Sequence, residues 1–389
     1  MTPGPAPRLL CTGGGGGMDG AAADIAVIGG GIAGASVAAA LAAGASVVLF
    51  EAEDRCGYHA TGRSAASFSE NYGSPLIRRI AICGRQFLEA PPEGFAAVPL
   101  LRPRGMITIG RADQVDRVMR AMAEGRALVP SIRAMTPDEV AAAVPVLRPG
   151  HVAAAFIEPN QREIDVDALH QGYLRLARAR GARIEIGARV TGLARDGAGW
   201  RVVTAGAAIR AGVVVNAAGA WADAVAALAG VAPIGLTPLR RTAFLIAAPE
   251  GSAEWPLVND VDEAFYFKPD AGRLFVSPGD ATPSPPMDAW PDDLDVATGA
   301  ARLEAATTIA VRRVLHAWAG LRTFAPDRNP VVGMEGGFFW LAGQGGYGIK
   351  TAPALSRMAA GLILHGRLPD DIAAAGIDPA ALSPARFRA

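Results

Sequence analysis

Three glycines set out the first chemistry in the chain. Gly29, Gly31 and Gly34 stand in GxGxxG spacing after an apolar run, Ile25 to Ile28, and before an alanine-rich stretch that ends near Gly44. Ser46 to Phe50 is a second apolar run, and an acid, Glu51, closes it. The order predicts strand, turn, helix, strand. In such a unit the first glycine permits the tight turn, the second lets backbone approach a pyrophosphate, and the third lets helix and strand pack closely. The helix N-terminus offers unpaired N–H groups and a positive dipole end to phosphates. Glu51 is placed to accept hydrogen bonds from a ribose and would repel a 2′-phosphate. The pattern predicts a bound dinucleotide, and alone it does not separate FAD from NAD. Ile25 to Phe50 carries no charge, so a membrane span competes; the glycine cluster, the small residues and the absence of flanking Lys or Arg weigh against it.

Two further stretches carry reactive or polar types in unusual settings. Glu53 to Gly73 is long, aperiodic and rich in Gly, Ser and Ala, the mark of a functional loop rather than a linker. It holds Tyr58, His59, Arg63, Phe68 and Tyr72, costly residues for a solvated connection. Arg63 with Ser64 suits a phosphate or a flavin edge, and Tyr72 suits a substrate. Near the other end, Gln344 to Ile349 is a second glycine-rich strand–turn–helix, whose backbone suits negative charge on a cofactor ring. Arg240 and Arg241 open a strand, and period 2 turns one of them inward. Tyr266, between Phe265 and Phe267, reads as packing. His170, on an amphipathic helix, reads as packed or capping.

The remaining elements must position these residues. The chain has 389 residues, about half apolar, with 37 basic and 37 acidic side chains, enough core for two domains and no surplus charge for nucleic acid. Cys11, Cys56 and Cys83 make neither a metal spacing nor an even disulfide set, and the five histidines show no paired-ligand pattern; no metal is expected, and a reducing cytoplasm is the default, with a peripheral place at a membrane left open. Residues 1–20 read as a disordered extension without a signal-peptide core, and Met18 is an alternative start. Periodicity predicts helices over Ser74–Gln86, Ala112–Gly125, Pro137–Val144, the stretch after Asp167, and Ala297–Leu315; MITIG reads as a strand at a sheet edge. Late strands must join the first βαβ unit. The fold class is therefore α/β, with a discontinuous nucleotide domain (21–80, 151–232, 322–389) interwoven with an α+β domain on a mixed or antiparallel sheet (81–150, 233–321).

The chain resembles the D-amino-acid oxidase-like family of FAD enzymes, and within it most the bacterial FAD-dependent D-arginine dehydrogenases. VIGGGIAGASVAAALA, GYHATGRSAA, DVDALHQGYLR, VVNAAGAWAD, FYFKPDAG, WAGLRTF and FFWLAGQGGYGIKT carry the resemblance. It implies noncovalent FAD in a Rossmann-like domain, roofed by a mixed sheet over the substrate. Gly29, Gly31, Ile32, Ala33, Gly34 and Glu51 match the adenosine and pyrophosphate site. Arg63, Ser64, Ala65 and Ala66 match the loop along the pyrophosphate and isoalloxazine. Val190 matches the residue offering backbone to adenine, with Ala217, Ala218 and Gly219 as a nearby turn. Gly345, Gly346, Tyr347, Gly348 and Ile349 match the loop at the flavin's pyrimidine end. Arg322 matches the arginine that pairs with a substrate carboxylate, Tyr266 and one of Arg240 and Arg241, with Arg241 preferred, its helpers, and Tyr72 a tyrosine of the active-site loop. An amino acid, oxidised to a 2-oxo acid and ammonia, and an electron acceptor, quinone or oxygen, are the implied partners.

The sequence departs from the D-arginine enzymes at their guanidinium-pairing glutamate, where it reads Arg104-Gly105-Met106, and at a loop histidine, where it has Ser67. An acid lost beside a new cation predicts a substrate with a neutral or apolar side chain. Glu70 is a new acid able to restore affinity for a basic one. The competing functions are a glycine- or sarcosine-type amine oxidase, a flavoprotein subunit of an electron-transfer complex, and an NAD enzyme. The covalent sarcosine type needs a late cysteine, and the last one here is Cys83.

Overall fold

The computed structural model describes residues 22–388; the expected extension over residues 1–20 lies outside them. Strand β1 (Ala22–Ile28), helix α1 (Ile32–Leu41) and strand β2 (Val47–Phe50) form the βαβ unit, with β1 and β2 parallel. Two glycine positions make the unit possible. Gly29 has φ +106°, and a Cβ there would stand 2.5 Å from the carbonyl oxygen of Ala217. A Cβ on Gly34 would lie 1.7 Å from the Gly29 oxygen, so only glycine lets α1 pass so close to the turn.

Strands from far along the chain extend this pair into an eight-stranded sheet. Ala208–Asn216 lies parallel to β1, Phe338–Ala342 lies parallel to Ala208–Asn216, and Arg183–Glu185 lies parallel to β2. Both faces are covered, which is why β1 and β2 read as unbroken apolar runs. Ile25 and Val27 pack towards α1 and the helices Val166–Ala179 and Gly348–His365, while Ala26 and Ile28 face the opposite core with Trp200 and Trp340.

A ten-stranded mixed sheet stands against the first, with Thr237–Ala247 paired along its length with His316–Phe324. Period 2 divides its residues. Phe244, Ile246, Phe267, Leu274 and Val276 build a core with Leu303 and Ala306, and the alternating positions Arg241, Ala243, Tyr266, Phe275 and Arg322 face a cavity.

Several expectations need correcting. Met106–Gly110 is interior, not an edge: it pairs with Leu257–Asp260 on one side and Ala154–Glu158 on the other, and both its isoleucines are fully buried. Ala154–Glu158 therefore belongs to the second sheet although residues 151–232 were expected in the nucleotide domain, and His316–Phe324 runs through the boundary expected at 321/322. The helix expected over Ala297–Leu315 spans Asp293–Ala306 instead. Asp292 caps its start by accepting from Leu294 N at 2.9 Å. Thr307 ends it, its hydroxyl donating back to the Leu303 carbonyl at 2.7 Å, and residues 308–315 form neither helix nor strand.

Candidate active site

A cavity of about 530 Å³ lies between the carboxyl ends of the parallel strands and the polar face of the second sheet. This is the crevice where open α/β sheets bind ligands. Gly29, Gly31, Ile32, Ala33 and Glu51 line one part of it, with Val190, Ala217, Ala218 and Gly219. Arg63, Ser64, Ala65 and Ala66 line another stretch, and Gly345, Gly346, Gly348 and Ile349 a third. Gly34 and Tyr347 do not reach the wall: Gly34 packs on the Gly29 turn, and the Tyr347 ring meets the Tyr72 ring edge-on at 5.2 Å.

The glycine turn is held from below. His170 is buried, and its Nε2 lies 2.9 Å from the carbonyl oxygen of Gly30. Burial lowers its pKa, and the residue acts as a strut, not as an acid or base of the cavity. The Glu51 carboxylate accepts from Gly30 N at 2.7 Å and from Glu53 N at 2.9 Å, which fixes its carboxylate at the wall. Thr61 Oγ1 accepts from Ile32 N at 2.9 Å, tying the long loop to the start of α1.

Arg63 is committed to protein partners. Its guanidinium donates to the carbonyls of Ala289 and Ala319 at 2.8 and 3.1 Å and pairs with Asp288. It thus ties the loop to the second sheet and has little left for a phosphate.

On the sheet face, the cross-strand register places Arg241 opposite Gly320 and Leu239 opposite Arg322, so both arginines project from the same side. Arg241 Nε donates to the Asp280 carbonyl at 2.6 Å, and its guanidinium stands 6.0 Å from the Tyr266 ring centroid. Arg240 turns the other way, to Asp292 and Asp295. Arg322 Nη2 donates to the Tyr72 hydroxyl at 3.1 Å, and among the described residues it pairs with no carboxylate. Burial raises the Tyr72 pKa to about 12, so its hydroxyl keeps its proton. Gly346 leaves the room Arg322 occupies: a Cβ there would stand 2.1 Å from Nη2.

Three residues read from the sequence as tuning the substrate lie outside the cavity. Glu70 points away and pairs with Arg85 at 2.7 Å. Arg104 is held by Glu163 at 3.1 Å and by the carbonyls of Ala253 and Trp255, so its charge does not reach the wall; Gly105 is not on the wall either. Wall residues the sequence did not single out include Leu257, Asn259, Phe275, Lys350 and an acid, Glu263; Met106, named there only for the strand it opens, is on the wall too. Glu263 sits in a turn at φ +55°, a backbone state that a non-glycine residue seldom adopts and that no sequence pattern announces. Among the described residues no group of three or more His, Cys, Asp or Glu is arranged to hold a metal, and no helix is long and apolar enough to cross a membrane.

Fold and site together fit a dinucleotide-binding protein, and comparison with known proteins gives its family. Residues 24–362 match the model of the DAO family, FAD dependent oxidoreductase, and the chain belongs to that family. It is 26% identical over 260 residues to the mitochondrial dimethylglycine dehydrogenase of Mus musculus, a match that takes in 61% of this chain and 30% of that protein. The chain thus spans about a third of the length of the curated relatives it matches. Among solved structures it resembles L-proline dehydrogenase from P. horikoshii (TM-score 0.81, 23% identity, 95% of this chain and 98% of that one). It also resembles glycine oxidase from Geobacillus kaustophilus (TM-score 0.83, 22% identity, 94% and 99%). FAD is therefore the dinucleotide. The residues fit it: the cradle at Gly29 to Ala33, an acid for a ribose at Glu51, and Gly219 with nothing within 4 Å of where a Cβ would stand.

Proposed function

We propose that the protein oxidises the Cα–N bond of an α-amino acid, a D-amino acid with a neutral or apolar side chain, to the imino acid. The observation that carries this is Arg322: a cation on the cavity wall, bonded to the Tyr72 hydroxyl at 3.1 Å and without a carboxylate of its own. The planar guanidinium matches a carboxylate in two parallel hydrogen bonds, and Tyr72 adds a donor beside it. Arg241 adds positive charge and Tyr266 closes the same side. Glu263 offers a counter-charge to the substrate ammonium. Met106, Leu257 and Phe275 supply apolar wall near them, which suits an uncharged side chain. FAD supplies the hydride acceptor when bound. The protein's work is to hold the carboxylate and so aim Cα–H, a positioning task. The released imino acid hydrolyses in water to a 2-oxo acid and ammonia.

A second reading, an N-methylated glycine as substrate, is favoured by the similarity to a dimethylglycine dehydrogenase. Anaerobic titration of the yellow protein with D-amino acids, L-amino acids, glycine, sarcosine and dimethylglycine separates the two by which compound bleaches the flavin. Admission of air then separates an oxidase from a dehydrogenase by the rate of recolouring. Bleaching by none of the panel would overturn both.

A further inference from the structure

Lys350 stands where its own helix does not want it. It lies in the first turn of Gly348–His365, where the helix dipole disfavours a cation, and it is 3% exposed, so its ammonium has lost its hydration. What it faces is the loop that carries Tyr72. Nζ donates to the Ser69 carbonyl at 2.9 Å and to the Tyr72 carbonyl at 2.5 Å. The rings of Tyr72 and Tyr347 stand 5.2 and 5.6 Å from the ammonium. Glu158, 1% exposed at the end of Ala154–Glu158, supplies the buried counter-charge, and it accepts from Ser69 Oγ at 2.8 Å. Two other charged groups act on Lys350. Glu70, on the loop, is taken up by Arg85; Arg78, on the helix α2 (Pro75–Glu89), gives its Nε to the Gly73 carbonyl at 2.8 Å.

Ser69 to Gly73 forms neither helix nor strand, so its backbone has no ladder to hold it. Its carbonyls at Ser69, Tyr72 and Gly73 accept instead from Lys350 and Arg78. A buried ammonium is costly unless paired and fully hydrogen-bonded. Here the partners are the loop and Glu158, which ties the cost to the placement of Tyr72.

We propose that Lys350 is a positioning residue for substrate binding: by holding the carbonyls of Ser69 and Tyr72 it sets the Tyr72 hydroxyl against Arg322. The inference rests on the reading of Arg322 and Tyr72 as the carboxylate clamp. Burial lowers the pKa of Lys350 to about 7, with Glu158 opposing the shift, and burial raises that of Glu158. The ammonium is therefore lost close to neutrality. The neutral amine holds the loop less firmly, and carboxylate binding weakens as pH rises through that point.

The test uses the FAD-loaded protein and propionate, a carboxylate that does not titrate near neutrality, with Kd read from the flavin absorbance between about pH 6 and about pH 9. Wild-type Kd is expected to rise as pH passes about 7. Lys350→Met is expected to bind about tenfold more weakly, the loss of about one charge-assisted hydrogen bond, with no pH step. Glu158→Gln removes the counter-charge, so the step should move to lower pH. Binding by Lys350→Met within about twofold of wild type, with the same step, would overturn the proposal. If that variant fails to hold FAD, Glu158→Gln decides: an unmoved step overturns it. Wild-type protein that binds no propionate at any pH would overturn the clamp itself and the inference with it.

Discussion

Arg322 and Tyr72, 250 residues apart in the chain, meet at 3.1 Å across the cavity, guanidinium donating to hydroxyl. One comes from the second sheet and the other from the loop after β2, so the contact closes the crevice between the two layers. An arginine on the wall without a carboxylate partner carries a desolvation cost that a substrate carboxylate offsets.

Arg322→Ala should raise KM by about 100-fold while FAD content, read from absorbance, stays at one per chain, because truncating one partner of a buried charge pair costs ~2–5 kcal/mol. Tyr72→Phe removes one neutral donor, and about a tenfold rise is expected. Unchanged steady-state kinetics in Arg322→Ala would remove the carboxylate assignment.

Gly346→Ala separates binding from stability. The three atoms nearest the added Cβ all belong to the Arg322 guanidinium, at 2.1 to 2.5 Å, so Arg322 is expected to move rather than the fold. Substrate affinity should fall about tenfold with ~1 kcal/mol or less lost in stability. A thermal melt beside a KM measurement checks both; a large fall in melting temperature with KM unchanged would contradict the account.

The flavin should come away with acid. His59 Nε2 lies 3.1 Å from Glu53 Oε1, and Nδ1 lies 4.0 Å from Asp288 Oδ1, so both ring nitrogens face carboxylates. Cys56 and Cys83 are not on the cavity wall. Trichloroacetic acid is therefore expected to release all the flavin to the supernatant. Colour retained in the pellet would show a covalent link.

The βαβ unit was legible because its requirements are local: a glycine at positive φ, a glycine in contact with backbone, and an acid at a strand end. The roof was less so. Period 2 says that one of Arg240 and Arg241 faces inward, and only pairing with His316–Phe324 decides that it is Arg241. Glu70 and Arg104 look like substrate groups two or fewer residues from wall residues, yet Arg85 and Glu163, distant in sequence, draw them away. Glu263 reaches the wall through a backbone state that its residue type does not encode. At the helix boundary after Ala306 the Thr307 hydroxyl bonds back to the Leu303 carbonyl, a contact that apolar periodicity does not announce. Lys350 did leave a signal: a basic residue in the first turn of a helix opposes the dipole and asks for an explanation.

That residue also makes a pH prediction for stability. Its pKa falls from an ordinary 10.5 to about 7 in the folded chain, chiefly through burial. Between those values the unfolded chain binds the proton and the folded one does not, so stability rises with pH across this window. The contribution is fully present above about 10.5 and is lost as pH falls through about 7. Other groups titrate there too: burial raises Cys56 from 9.0 to about 11, which lowers stability as pH climbs through that range. The difference between wild type and Lys350→Met cancels them. Urea melts of both proteins should show the wild type gaining on the variant from about pH 7 to about pH 10. A difference that stays constant over that range would mean that Lys350 keeps its proton in the fold and that the loop is held by an ammonium throughout.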